Sequence, residues 1–192
     1  QSSLGALFLM SQAKLSGLWW STMMNNIFFI SAIAAGLSMV SIETVWSHKA
    51  FNIDQPREIL AGLARGTAIV LAVYLAVRFI DLGRNGNIGL IFSSGKLSVL
   101  FLVEVGLLAA LPMLLLFMPN IQKSENAILG CQLMVIAGVI FNRFNVSLLA
   151  QGGVDASYFP TWIEFAVTLG IISLGIFLYR FAVVTWPILT HQ

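Results

Sequence analysis

Five apolar runs, each long enough to cross a bilayer, leave this 192-residue chain few folds to choose from. They lie at about 22–46, 58–81, 97–118, 126–149 and 162–186. A helix needs about 20 mostly apolar residues to span hydrocarbon. Inside a bilayer every backbone polar group must be satisfied within the segment, which makes each run a helix. Charged residues are 9% of the chain, against roughly 25% in a soluble domain. They cannot cover a globule, so lipid is the solvent. The connections are short and leave no room for a second, soluble domain. The expected fold is an all-α integral membrane bundle of about five transmembrane helices. It divides into residues 1–21, an interfacial segment or the end of a preceding span, and residues 22–192, the five-span bundle.

The first 20 residues, QSSLGALFLMSQAKLSGLWW, hold an apolar stretch too short to span. Trp19 and Trp20 close it, as aromatic residues do at a membrane interface. The chain starts at Gln1 and shows no signal-peptide pattern, so it reads as part of a longer or processed protein. Pro112 lies inside the third run as a kink. Five spans put alternate connections on opposite sides. Side A holds the 47–57 and 119–125 connections and the C-terminus. Side B holds residues 1–21 and the 82–96 and 151–161 connections. Lysine and arginine divide evenly between the loops, and Arg65 and Arg180 tip the balance toward side A as cytoplasmic.

Ionisable residues inside spans are costly and usually face a bundle interior. Arg78 and Asp81 lie near the side B end of the second run, and Glu104 lies about two turns in from Lys96. Arg143 lies near the side B end of the fourth run, and Glu164 opens the fifth. Two bases and three acids from four helices therefore gather in one half of the membrane. Arg78 and Asp81, three residues apart, can simply pair and snorkel. Arg143 and Glu104 can form either an interhelical clamp or part of a proton relay. Glu43 stands apart toward side A, among Ser38, Met39, Val40, Ser41, Ile42 and Val45. A lone acid in such a setting is suited to load and release a proton. Its structural alternative is a neutral carboxyl bonded to Ser38, Ser41 or a nearby carbonyl. The loop residues Tyr158, Phe159 and Trp162 are either belt aromatics or one wall of a docking surface on side B.

Several classes are excluded or disfavoured. The two histidines, His48 and His191, lie outside the spans on side A, so the chain cannot supply two axial haem ligands within the bundle. One cysteine, Cys131, makes neither an internal disulfide nor an iron–sulfur site. A net charge of +2 with no basic patch argues against nucleic acid. No metal-spaced carboxylate cluster, Gly-rich phosphate loop or nucleophile–base pair is present.

Taken together, a set of short motifs resembles the C-terminal half of the NrfD-type family, the membrane subunits of polysulfide reductase and related complexes. The motifs are Gln1-Ser2-Ser3-Leu4-Gly5, Ile42-Glu43, Arg78-Phe79, Glu104-Val105, Arg143 and Tyr158-Phe159-Pro160-Thr161-Trp162-x-Glu164. Within the family the chain is most similar to the membrane subunit of periplasmic nickel–iron hydrogenases. The resemblance implies the second four-helix bundle plus a closing helix of a larger two-bundle subunit in a bacterial inner membrane. It implies electron exchange between menaquinone or ubiquinone and a ferredoxin-like iron–sulfur subunit on the periplasmic face, with no haem and no metal in this chain. Gln1, Ser2 and Ser3 would edge the quinone pocket, directly after a histidine that is absent here. Glu43, Arg78, Glu104 and Arg143 would form a proton pathway. Tyr158, Phe159, Trp162 and Glu164 would dock the partner. The first bundle supplies most of the quinone pocket, so this chain alone cannot complete it. The expected function is that of a non-catalytic membrane subunit of a quinone-linked redox complex. The alternatives are half of a secondary transporter, which broken helices and internal repeats around a midplane site would favour, and a membrane anchor without chemistry.

Overall fold

The computed structural model describes residues 2–10, 15–51, 57–93, 95–149 and 161–185, and every regular element among them is helical. A short helix α1 (Ser2–Leu9) precedes α2 (Met24–Phe51) and α3 (Arg57–Arg84). Next come α4 (Lys96–Phe117) and α5 (Glu125–Phe144). A last helix, α6 (Trp162–Thr185), belongs to a second compact unit, Ser157–Gln192, separate from the unit Gln1–Ala156. The helices α2 to α6 contain five segments long and apolar enough to cross a membrane. Helical turns at Leu90–Ser93 and Pro119–Gln122 lie in the connections.

In the first unit α2, α3, α4 and α5 run alternately up and down. α2 packs on α3 and α5, and α4 packs on α3 and α5, which closes a four-helix bundle. α1 lies against α2. A Cβ at Gly5 would sit 2.8 Å from the Asn25 Cα, so the small residue permits that approach. Ser2 Oγ donates to Asn25 Oδ1 at the same contact. The bundle interior is layered. Phe28, Phe101, Val105 and Val146 fill the side B end, Ala34, Leu71 and Val135 the middle, and Val45, Leu60, Leu116 and Ile128 the side A end. On side A, Lys49 and Glu125 join the ends of α2 and α5 by an ion pair of 3.1 Å.

Two helices are locally widened. α4 is π-helical over Val103–Ala110, and α5 continues as a π-helical turn over Asn145–Leu149. Pro112 gives part of the reason. It has no N–H to offer the Leu108 carbonyl four residues back, and the widened turns lie immediately before it. Gly138 of α5 packs against that carbonyl, where an added Cβ would come within 2.8 Å of the oxygen. The kink expected at Pro112 therefore takes the form of a wide turn that α5 approaches closely.

Residues 15–21 depart from the interfacial expectation. They form turns packed into the side B end of the bundle, with Leu18 and Trp19 almost fully buried. Non-helical backbone at such depth needs internal partners, and side chains provide them. Asn87 Nδ2 donates to the Gly17 carbonyl at 3.0 Å and Arg78 Nη2 to the Leu18 carbonyl at 3.1 Å. Ser21 Oγ accepts from the Met23 N–H at 2.8 Å, just before α2 begins.

Candidate functional site

The bundle carries its buried charge in one layer near side B, centred on Glu104. The wide π turn of α4 carries this residue, which is 3% exposed. Three N–H donors converge on it. Asn142 Nδ2 reaches Oε1 at 2.6 Å, while Trp19 Nε1 and Asn145 Nδ2 reach Oε2 at 2.9 and 2.6 Å. This set matches a carboxylate, which accepts and does not donate. Asn142 lies in the last turn of α5 and Asn145 opens the π turn that continues it, so both amides are presented to α4. Trp19 is held edge-on against Phe101, with ring centroids 5.8 Å apart.

Arg143 does not touch Glu104 directly. Its Nη1 donates to Asn142 Oδ1 at 2.9 Å, and its Nη2 to Ser31 Oγ at 2.8 Å. Its guanidinium lies 3.6 Å from the centroid of the Phe28 ring. Asn142 thus passes between base and acid, and only one orientation of its amide serves both neighbours. Arg78 joins the same layer from α3. It binds the Leu18 carbonyl one residue before Trp19 and stands 5.5 Å from the centroid of Phe101. The expected network of Arg78, Glu104 and Arg143 is present as amide, indole and backbone links rather than as ion pairs. The expected pairing of Arg78 with Asp81 does not occur. Asp81 accepts from Asn85 Nδ2 at 3.3 Å, because Arg78 turns inward to the 15–21 segment.

The other sequence candidates fall elsewhere. Glu43 is exposed on α2, two residues on from Ser41, whose side chain turns inward. Ser38 and Ser41 bond to Gln132 and not to Glu43, since a step of two residues along a helix points the opposite way. Ser2 contacts Asn25 and Ser3 is exposed, both on α1. Trp162 and Glu164 form the first turn of α6, where the Glu164 N–H donates to the Thr161 carbonyl at 2.9 Å. Gln1, Tyr158 and Phe159 lie outside the described residues.

Sequence reasoning passed over Asn142, Asn145, Trp19, Ser31 and Gln132. The two asparagines carried a signal: in Asn142-Arg143-Phe144-Asn145 two amides stand three apart, on one helix face. Trp19 carried none, because an indole before a span looks the same at an interface and in a core. Gln132 lies deeper, fully buried between α2, α3 and α5. It accepts from Ser38 Oγ at 2.7 Å and donates to Ser41 Oγ and Thr67 Oγ1, each at 3.3 Å.

Residues 5–154 match the family described as polysulphide reductase, NrfD. A protein of Nitratidesulfovibrio vulgaris is 33% identical over 98% of this chain and 51% of its own length. An Escherichia coli protein, provisionally named Ni/Fe-hydrogenase 2 b-type cytochrome subunit, is 28% identical over 98% of this chain and 49% of its own. A Halobacterium salinarum protein, provisionally named as a membrane subunit of dimethyl sulfoxide reductase, is 26% identical over 83% and 44%. The chain spans about half the length of the curated relatives it matches. No solved structure matches. Motif order, helical architecture and the match over most of the sequence agree: this chain belongs to the polysulphide reductase NrfD family.

Proposed function

We propose that this chain is part of the membrane subunit of a redox complex, where it supports electron exchange between the membrane quinone pool and an iron–sulfur partner on the side B face. The observation that carries the reading is a buried, charge-bearing layer in a chain of this family, together with relatives named for hydrogenase and dimethyl sulfoxide reductase membrane subunits. The reading takes menaquinone or ubiquinone as substrate and side B as the periplasmic face of a bacterial inner membrane. Gln1, Ser2 and Ser3 edge the quinone pocket, and Tyr158, Phe159, Trp162 and Glu164 dock the partner. Arg78, Glu104 and Arg143 handle protons on side B, and Glu43 is the acid toward side A. No haem is assigned to this chain, whose His48 sits in the last turn of α2 with Nδ1 2.7 Å from the Thr44 carbonyl oxygen.

One observation favours a second reading, a membrane anchor without chemistry. Glu104 is closed in by three donors, as a purely structural acid would be. Purification of the intact complex from membranes through a tag on this subunit separates the two. The redox reading expects an iron–sulfur subunit in the complex and electron transfer to a quinone analogue. An assembled complex that reacts with a soluble dye and not with quinone overturns it. Glu43→Gln keeps size and hydrogen bonding but cannot exchange a proton at working pH. It is expected to leave assembly and dye reduction intact. Proton-coupled quinone turnover in vesicles should fall at least tenfold, since general acid–base roles are worth about 10²–10⁴-fold. Unchanged turnover and acidification remove Glu43 from the route.

A further inference from the structure

A cavity of about 20 Å³ lies between Glu104 and the apolar middle layer of the bundle. Its lining is mostly apolar, and Ser31, Tyr74, Glu104 and Asn142 are the polar residues around it. Ala34, Leu71 and Val135 line its apolar part, and the same residues make up the middle layer. A site needs about 10–15 Å³ to hold one water molecule, which then needs two to four polar partners. Those partners can be counted from the hydrogen bonds already formed. Glu104 Oε1 accepts from Asn142 alone and has a second lone pair. Asn142 Nδ2 uses one N–H on Glu104 and keeps the other. Ser31 Oγ donates to the Phe28 carbonyl and accepts from Arg143, which leaves one lone pair. Among the described residues the Tyr74 hydroxyl, on a side chain 6% exposed, has no hydrogen-bond partner. Tyrosine hydroxyls within a protein interior nearly always find a partner.

We propose that this cavity is a binding site for a single ordered water molecule that joins the Tyr74 hydroxyl to the Glu104 carboxylate. The water donates to Oε1 and accepts from Tyr74, and the spare Asn142 N–H or Ser31 lone pair completes its set. Size limits the site to one water, and the apolar residues below it stop the chain of polar contacts there. The site rests on the geometry of the bundle alone and holds under either reading of the subunit's role.

Two measurements on the assembled complex test this site. A density map fine enough to show buried water should have one isolated peak within hydrogen-bond distance of both Glu104 Oε1 and the Tyr74 hydroxyl. Tyr74→Phe removes only the hydroxyl. It should weaken or abolish the peak and lower the unfolding midpoint of the complex, the direction expected for one lost hydrogen bond. A map that shows water elsewhere in the interior but none here overturns the proposal. So does a Tyr74→Phe complex whose midpoint is unchanged or raised, because a hydroxyl with no bound water gains from removal.

Discussion

Glu104 and Gln132 are both almost wholly buried in membrane-spanning helices of one bundle, and their surroundings solve the problem of burial differently. Gln132 is neutral. Its hydroxyl partners also hold bonds on their own helices: Ser41 Oγ donates to the Leu37 carbonyl and Thr67 Oγ1 to the Leu63 carbonyl. That layer draws on α2, α3 and α5. The Glu104 layer draws on α2, α3, α4, α5 and the 15–21 turns at once. It also leaves buried polar atoms without a direct protein partner, among them Arg78 Nε, Arg143 Nε and Asn145 Oδ1. A neutral amide can be satisfied by whichever hydroxyls are near. A buried carboxylate demands several donors from several elements, and two wide π turns bring them there. Such widened turns often mark functional sites. The contrast teaches that the side A half of the bundle is built for packing, while the side B half accepts a more exacting polar arrangement.

Substitution of each centre sharpens the contrast. Glu104→Leu should have the largest effect. It strands the Trp19 indole N–H and the amides of Asn142 and Asn145, at about 1–3 kcal/mol for each unsatisfied buried donor. Loss of folded, monodisperse complex from detergent extracts is the expected readout, and near-normal yield would show the layer to be dispensable. Arg143→Ala comes next. Because Asn142 stands between Arg143 and Glu104, the acid keeps all three donors, and the loss falls on the bonds to Asn142, Ser31 and the Phe28 carbonyl and on the Phe28 stack. About 1.5–3 kcal/mol is expected, the range for hydrogen bonds to a charged group. Unfolding midpoints of the two single variants and the double variant check the coupling. Full additivity would show that Asn142 does not link them. Gln132→Leu should have the smallest effect, near the 0.6 kcal/mol average for polar contacts between membrane helices. Ser41 and Thr67 retain their backbone acceptors, and Ser38 can turn to a carbonyl of its own helix. A midpoint loss as large as that of Arg143→Ala would erase the distinction between the layers.

The boundaries of the spans were legible from composition alone. The second run, read as about 58–81, is the apolar segment Glu58–Arg84, and the third, read as 97–118, is Lys96–Phe117. Run length and apolar content do not depend on neighbours, since each helix satisfies its own backbone in lipid. The gathering of Arg78, Glu104 and Arg143 at one depth followed equally from the fixed rise of a helix. Partner choice did not follow. Depth places an acid and a base at one level, but rotation about each helix axis decides whether they face each other, and that rotation is set by packing among all the helices. Packing sent Arg78 to the Leu18 carbonyl instead of Asp81, and interposed Asn142 between Arg143 and Glu104. It drew Trp19 from the expected interface into the core, where its N–H completes the Glu104 shell. It also left Glu43 exposed on α2 while Ser38 and Ser41 turned inward to Gln132. The sequence by itself determined how many helices cross, at what depth their charges lie and to which family the motifs point. Only the tertiary structure decided which donors meet Glu104, because a hydrogen bond depends on orientation at a few ångströms, and no single helix carries that information.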